Sequence, residues 1–263
     1  MNRIDRKFEE LKRQKKKAFI AYITAGDPNF AMTKKMAFAL ERSGADIIEL
    51  GIPFSDPLAD GPTIQAASRR ALEKKATLKR VFVMVSQIRK KTAIPLVFMT
   101  YYNPVLKYGV ENFFRKCKAC GVDGVIVPDL PYEESDEMVK LAKQSGIAAI
   151  FLVAPTSTIA RIRQIAKRSK GFIYYVSLTG VTGARTKLPK EVISNVRRVK
   201  RLTGKPVAVG FGIANARQAA SVAKAADGVI IGSAIVKIIG EKKNAEERVF
   251  RFARSLARAI HNV

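Results

Sequence analysis

In one stretch of the chain, residues 46–61, three carboxylates follow closely after the first residue, Asp46. Glu49 lies within a short apolar run of the type that forms a buried strand, whereas Asp56 and Asp60 belong to the loop that follows. A carboxylate at the end of a buried strand is costly unless it is paired, protonated or used in chemistry. Prolines stiffen the loop, which returns a second carboxylate to the same neighbourhood. We therefore expect acid–base chemistry from this stretch.

Glu49 and Asp60 are expected to differ in proton affinity. Glu49 is flanked by Ile48 and Leu50, so its removal from water should raise its pKa towards neutrality. Asp60 lies in a polar loop and should stay ionised. One protonated and one ionised carboxylate suit proton transfer to and from a substrate. Two alternatives remain open: Glu49 could pair with a buried lysine, and Asp60, beside Gly61, could serve only the turn.

The elements that position this stretch alternate regularly between strand and helix. Strands are predicted over residues 18–24, 46–50, 96–100, 124–127, 148–153, 172–177, 207–210 and 228–231. Helices are predicted over residues 3–13, 30–43, 78–91, 110–120, 134–145, 159–169, 190–203, 215–225, 235–239 and 245–261, and a further helix is predicted to begin near residue 62. The stretch Tyr101–Pro104 is interpreted as the end of the third strand.

Eight strands, each apolar on both faces and followed by a helix, indicate a closed parallel barrel. We therefore predict an α/β fold, a single-domain TIM (β/α)8 barrel over residues 1–263, with an extra N-terminal helix and mobile loops after strands 2 and 6. An open doubly wound sheet is the alternative. It would need fewer strands and usually a glycine-rich turn after the first one.

The carboxyl ends of the predicted strands are where such a barrel places its active site. Glycine turns follow the last two strands, where Gly212 and Gly232 would let backbone N–H groups approach a phosphate and Ser233 would add a hydroxyl. The same glycines could instead serve tight turns alone. Side chains at the other strand ends predict apolar and aromatic walls: Tyr22, Thr100, Tyr101, Leu130, Tyr174 and Phe211.

The loop after the sixth predicted strand, residues 179–189, is rich in glycine, small and polar residues and has no apolar pattern. This composition is typical of a loop that closes over a bound substrate, although a simple solvent loop is the alternative. Together with the carboxylates and the glycine turns, it predicts a slot for a phosphorylated small molecule with an apolar body.

The charge of the chain is strongly basic, with 48 Lys and Arg against 22 Asp and Glu among 263 residues, a formal net charge of +26. Such a balance raises nucleic acid as a partner. However, the basic residues are spread along the whole chain, mostly where helices face solvent. We expect a generally basic surface and no specific nucleic-acid site.

Several function classes are disfavoured by composition. The only histidine is His261, which removes His-based triads and leaves carboxylates, Lys or Tyr for acid–base work. Cys117 and Cys120 have a metal-like spacing but fall in a helical pattern without a second pair, so reduced, partly buried thiols and no metal site are expected. No apolar run is long enough to cross a bilayer, and the charged N-terminus lacks a signal-peptide core. A cytoplasmic protein without membrane contact is the expectation.

Five segments of the chain, residues 19–28, 49–62, 181–184, 210–213 and 232–237, resemble the tryptophan synthase alpha chain family. The resemblance covers essentially the whole chain and is most specific over residues 49–62. It implies the reversible retro-aldol cleavage of indole-3-glycerol phosphate to indole and glyceraldehyde 3-phosphate, a step of tryptophan biosynthesis.

The resemblance also implies roles for individual residues. Glu49 matches the principal acid–base, Asp60 the group that holds the indole N–H, and Thr182 a lid residue that closes onto that aspartate. The phosphate cradle matches Gly183, Gly212, Gly232 and Ser233. The indole pocket matches Tyr22, Thr100, Tyr101 and Tyr174.

The implied partner is a beta chain that uses pyridoxal phosphate, in an alpha-beta-beta-alpha heterotetramer, and the alpha chain has no cofactor or metal of its own. Pro53, Asp56, residues 103–107 and the segment after Asp129 would face this partner. A stand-alone lyase that releases free indole needs the same site and stays open. An indole-glycerol-phosphate synthase would need a catalytic lysine within a strand, and no predicted strand interior carries one. A basic nucleic-acid-binding barrel would bind with a steep salt dependence.

Overall fold

The computed structural model describes residues 1–176, 190–210, 212–241 and 243–263. Parallel strands form one sheet in this part of the chain: β1 (Ala18–Thr24), β2 (Ile47–Gly51), β3 (Leu96–Met99), β4 (Gly124–Ile126), β5 (Ala148–Ile150), β6 (Leu152–Val153), β7 (Ile173–Val176), β8 (Val207–Gly210) and β9 (Gly228–Ile231).

The sheet curls into a barrel that one short segment closes. The strand order is β5-β4-β3-β2-β1-β9-β8-β7-β6, and all pairings are parallel. The strands β5 and β6 are two halves of the single strand predicted over residues 148–153, separated by Phe151. The first half pairs with β4 and the second with β7. The N–H of Tyr174 donates to the carbonyl oxygen of Phe151 at 3.0 Å, so this segment joins the two edges. The TIM-barrel prediction is confirmed.

Helices surround the barrel: α1 (Arg3–Arg13), α2 (Phe30–Arg42), α3 (Pro62–Glu73), α4 (Leu78–Arg89), α5 (Tyr102–Tyr108), α6 (Val110–Cys120), α7 (Asp136–Ser145), α8 (Ile159–Arg168), α9 (Lys190–Thr203), α10 (Ala216–Ala223), α11 (Ser233–Gly240) and α12 (Ala245–His261). A short 3-10 helix covers Tyr132–Glu134. Predicted boundaries agree to within about two residues. Within the described residues, no helix is both long and apolar enough to span a membrane.

Helix α5 was not predicted, because its first residues were interpreted as the end of a strand. That interpretation was wrong. Pro104 lies in the first turn of α5, where its missing N–H costs no helical hydrogen bond. The carboxylate of Asp129, from the loop after β4, accepts from the N–H of Tyr102 at 2.9 and 3.1 Å. A partner distant in sequence therefore stabilises the start of this helix.

Side chains alternate between the barrel interior and the layer under the helices, as they must in a strand. In β1, Ile20 and Tyr22 face the interior, and in β2, Ile47 and Glu49 do so. The intervening residues pack against the surrounding helices. Helix α1 closes the bottom of the barrel with three apolar side chains of one face: Ile4, Phe8 and Leu11.

This arrangement leaves the carboxyl ends of the strands open to form a site. The loop after β2 belongs to the described residues. Its mobility remains a prediction from the sequence. The predicted lid, residues 179–189, lies outside the described residues.

Candidate active site

A cavity of about 360 Å³ opens at the carboxyl ends of the strands. This is where parallel barrels hold their ligands, and the volume lies within the usual range for small-molecule sites. The described residues that line it are Tyr22, Glu49, Ala59, Asp60, Gly61, Ile64, Met99, Pro128, Leu152, Tyr174, Val176, Gly210, Gly212, Ile213, Ile230, Gly232 and Ser233.

Glu49 reaches this cavity from the interior face of β2 and is fully buried. Neither of its carboxylate oxygens has a hydrogen-bond partner among the described residues, so the alternative of a buried lysine partner finds no support there. Burial, and secondarily the charge of Asp60, raises the pKa of Glu49 to about 8. Glu49 therefore carries a proton at neutral pH, in agreement with the expectation from its apolar neighbours.

Asp60 approaches the same cavity from the loop after β2 and is half-buried. Burial raises its pKa to about 6, and a hydrogen bond from the hydroxyl of Tyr101 opposes this rise. The same hydroxyl accepts from the N–H of Ala59 at 2.9 Å. Asp60 is therefore mostly ionised at neutral pH, as expected, although the sequence did not predict the rise in its pKa. Its backbone serves the turn, while its carboxylate is held towards the cavity.

Tyr22 and Tyr174 form the aromatic walls, and glycines on neighbouring strands make room for them. A Cβ atom built on Gly51 would overlap the hydroxyl of Tyr22, and one built on Gly210 would lie 2.6 Å from Cε1 of Tyr174. Burial, followed by the nearby carboxylates, raises the pKa of both tyrosines. Both hydroxyls therefore remain neutral hydrogen-bond donors at all ordinary pH values.

The wall of the cavity after β8 and β9 offers backbone donors. Gly232 is the N-cap of α11 and Ser233 its first residue, and no side chain caps this helix within the described residues. Its N–H groups, with the helix dipole, favour an anion there. Gly212 lines the same wall, and a Cβ atom built on it meets no atom within 4 Å. The three residues of the predicted cradle that are described therefore lie together.

The remaining predicted site residues are placed as follows. Thr100 is buried, lies outside the described cavity wall, and donates its hydroxyl to the carbonyl oxygen of Tyr101 at 3.2 Å. Tyr101 borders the site through Asp60 and stacks near Phe54, with ring centroids 5.4 Å apart. Leu130 is buried in the apolar layer outside the barrel. Three predicted residues lie outside the described part of the chain: Thr182, Gly183 and Phe211.

Sequence reasoning missed several apolar wall residues. Met99, Leu152, Val176 and Ile230 are each the last inward-facing residue of a strand. The sequence does contain a signal for these residues. Side chains alternate along a strand, so counting in steps of two from a residue that faces the interior leads to each of them. In β3 this count leads to Met99 and not to its neighbour Thr100.

The described residues contain no cluster of three or more His, Cys, Asp or Glu that could hold a metal ion. Cys117 and Cys120 are both free and buried, somewhat more deeply than expected. Burial raises the pKa of Cys117 well above its usual range and that of Cys120 to about 11. Both thiols are therefore protonated and inert at neutral pH.

Comparison with known proteins identifies the family. The family model described as tryptophan synthase alpha chain matches residues 8–262. A tryptophan synthase alpha chain from Geotalea daltonii is 51% identical over 237 residues, 90% of each chain. That of Geobacter sulfurreducens is 49% identical over 264 residues, 100% of each chain.

Solved structures agree with this match. Tryptophan synthase subunit alpha from Legionella pneumophila superposes with a TM-score of 0.94 at 39% identity, covering 100% of both chains. A chain of the tryptophan synthase a2b2 complex from Pyrococcus furiosus has a TM-score of 0.86 at 43% identity, covering 92% of this chain and 98% of that one. The barrel, its paired carboxylates and these full-length matches lead to one conclusion: the chain belongs to the tryptophan synthase alpha chain family.

Proposed function

We propose that the chain cleaves indole-3-glycerol phosphate reversibly to indole and glyceraldehyde 3-phosphate, as the alpha subunit of a tryptophan synthase. Membership of this family implies that the chain is an enzyme. The specific reaction is what we propose. One observation carries it: a protonated Glu49 and an ionised Asp60 face one cavity, and a helix N-terminus at Gly232, which no side chain caps, lines the same cavity. This arrangement fits a substrate with a basic carbon, an N–H group and a phosphate.

Glu49 supplies the proton that starts the cleavage. It donates to C3 of the indole ring, the carbon that bears the glycerol side chain. The ring then carries a positive charge, which the carboxylate of Asp60 stabilises while accepting a hydrogen bond from the indole N–H.

Glu49, now a carboxylate, accepts the proton of the hydroxyl on the adjacent glycerol carbon. The carbon–carbon bond breaks, its electron pair restores the aromatic ring, and the glycerol carbon becomes the aldehyde. The proton taken from the hydroxyl regenerates the acid, so the cycle consumes no proton. A pKa near neutrality suits a group that both gives and takes a proton.

Different parts of the cavity wall bind different parts of the substrate. The N–H groups at Gly232 and Ser233, with Gly212, hold the phosphate. Tyr22 and Tyr174 pack on the indole ring. The apolar residues at the carboxyl ends of the strands exclude water from the cavity. This exclusion strengthens the hydrogen bond at the indole N–H.

The direct test is to incubate the purified chain with indole-3-glycerol phosphate and measure indole and glyceraldehyde 3-phosphate. Both products should form in equal amounts without added pyridoxal phosphate, because we assign that cofactor to the beta chain. Indoleglycerol without its phosphate is the matched control and should react far more slowly. Failure to form indole, both alone and with a beta chain, would refute the proposed reaction.

A beta chain is the proposed partner, by analogy with the a2b2 complex of the Pyrococcus furiosus relative. Two large apolar side chains are exposed on the face that carries the active-site opening, Leu58 in the loop after β2 and Leu106 in α5, at 92% and 57%. Exposed apolar residues of this kind are typical anchors of an interface. Relatives that bear the alpha-chain name favour this subunit role over a stand-alone enzyme.

Replacing Leu58 and Leu106 together by Ser should weaken the complex with a beta chain at least about tenfold, measured by titration calorimetry. Val83, which is 58% exposed on α4, provides the matched control through Val83→Ser. An equal loss in the control, or none in the double variant, would contradict the assignment of this face.

A further inference from the structure

A second cavity lies at the amino ends of the strands, on the opposite end of the barrel from the active site. Its volume is about 620 Å³. We call it the basic cavity, because six lysines line it: Lys12, Lys15, Lys16, Lys17, Lys200 and Lys205. The topology brings them together, since Lys17 precedes β1, Lys205 lies just before β8, and Asp227 precedes β9, and these three strands are neighbours in the sheet. The end of α1 and the turn after it supply Lys12, Lys15 and Lys16, and α9 supplies Lys200.

The side chains of the inner wall of the basic cavity carry more positive than negative charge. Asp227 is the only acidic side chain among the described residues that line it. Its Oδ1 lies 2.7 Å from Nζ of Lys200 and 3.9 Å from Nζ of Lys17, so two half-buried ammonium groups share one carboxylate. Burial, and then the charge of Lys170, lowers the pKa of half-buried Lys205. A bound anion would relieve this repulsion.

The rim of the basic cavity adds three exposed ammonium groups from the end of α1. Lys12, Lys15 and Lys16 are exposed and form no ion pair with any carboxylate of the described chain. Lys15 has a φ of 55°, in the left-handed region where glycine is more stable. The lysine side chain at this position therefore costs stability that glycine would not.

The chemistry of these groups indicates the ligand class. Lysine presents compact point charges and binds phosphate groups as such. Several lysines around one concave site therefore suit an anion that carries several negative charges close together. The basic cavity is concave and of small-molecule size, whereas readers of duplex DNA insert a protruding helix or ribbon into a groove. We propose that the basic cavity binds a compact anion with a chain of phosphates, as in inorganic tripolyphosphate or a nucleoside triphosphate.

The proposal is tested by titration calorimetry of the full chain with tripolyphosphate, ATP and AMP. One site should bind tripolyphosphate and ATP, with an affinity that falls as salt increases, and AMP should bind at least about tenfold more weakly. The double variant Lys12→Gln/Lys16→Gln should lose about tenfold or more in affinity for tripolyphosphate. The control Lys35→Gln/Lys118→Gln removes the same charge at exposed positions outside the cavity and should change it by less than about twofold.

A further variant separates binding from folding. Lys15→Gly should raise the melting temperature, because glycine relieves the left-handed backbone, and should still weaken tripolyphosphate binding. An equal loss in the control pair would mean diffuse surface charge and would overturn the proposal. Unchanged affinity in the cavity variants would do the same, since the anion would then bind elsewhere, for example at Gly232. AMP binding as tightly as ATP, or short duplex DNA binding more tightly than tripolyphosphate, would also overturn it.

Discussion

Replacing Glu49 by Gln should stabilise the fold, and the gain should grow as pH rises. In the folded protein the pKa of Glu49 is raised from 4.5 to about 8, first by burial and then by the charge of Asp60. Between these values the folded protein keeps the proton that the unfolded chain has lost, so the stability of the wild type falls as pH increases. Each unit of pKa corresponds to about 1.4 kcal/mol, which makes the whole loss about 5 kcal/mol.

The assay is urea unfolding of wild type and Glu49→Gln at about pH 5 and about pH 8.5. The difference between their free energies of unfolding should widen by about 4 kcal/mol over this interval, because Gln does not titrate. Glu9→Gln, at an exposed position on α1, is the matched control and should show no widening. A constant difference between Glu49→Gln and wild type would mean that Glu49 is charged in the folded protein at neutral pH. The proposed acid would then be absent.

Three further outcomes follow from the geometry of the site. Tyr101→Phe removes a hydrogen bond that lowers the pKa of Asp60, so the acid limb of the pH–rate profile should move to higher pH; an unmoved limb contradicts this. Arg70→Met leaves the 2%-exposed carboxylate of Asp27 without its bidentate partner, at 2.8 Å on both oxygens, and should cost about 3–5 kcal/mol in urea unfolding, more than Arg70→Lys. Gly51→Ala places a methyl group on the tyrosine hydroxyl of β1 and should cost about 1–3 kcal/mol and most of the activity; wild-type behaviour would contradict the packing.

The position of Glu49 at the carboxyl end of β2 could be predicted from the sequence, because strand periodicity and burial depend on neighbouring residues. Glu49 lies between apolar neighbours in a short strand, so both its inward direction and the rise of its pKa follow from a few residues. Asp60 is different. The rise of its pKa depends on how the loop after β2 folds over the cavity and on the hydroxyl of Tyr101, which comes from another strand end. Contacts of this kind carry no local signal.

The errors in the fold have a similar cause. Helix α5 begins at Tyr102 because Asp129, from the next loop, accepts from its backbone N–H; local propensity alone favours a turn at Asn103 and Pro104. The break at Phe151 arises where one strand must pair with different neighbours on its two sides. Thr100, selected from the sequence as a wall residue, lies one position beyond Met99, the last inward-facing residue of β3. In a strand that is apolar on both faces, burial alone does not distinguish inside from outside.

The most direct test of the account is indole formation by Glu49→Gln, measured at saturating indole-3-glycerol phosphate with the fold checked by circular dichroism. We expect kcat to fall by about 10²–10⁴-fold or more, the effect of removing a general acid–base, while binding of glycerol 3-phosphate at the start of α11 stays unchanged. Near-normal indole formation by a folded Glu49→Gln variant would contradict the central claim that Glu49 carries the proton.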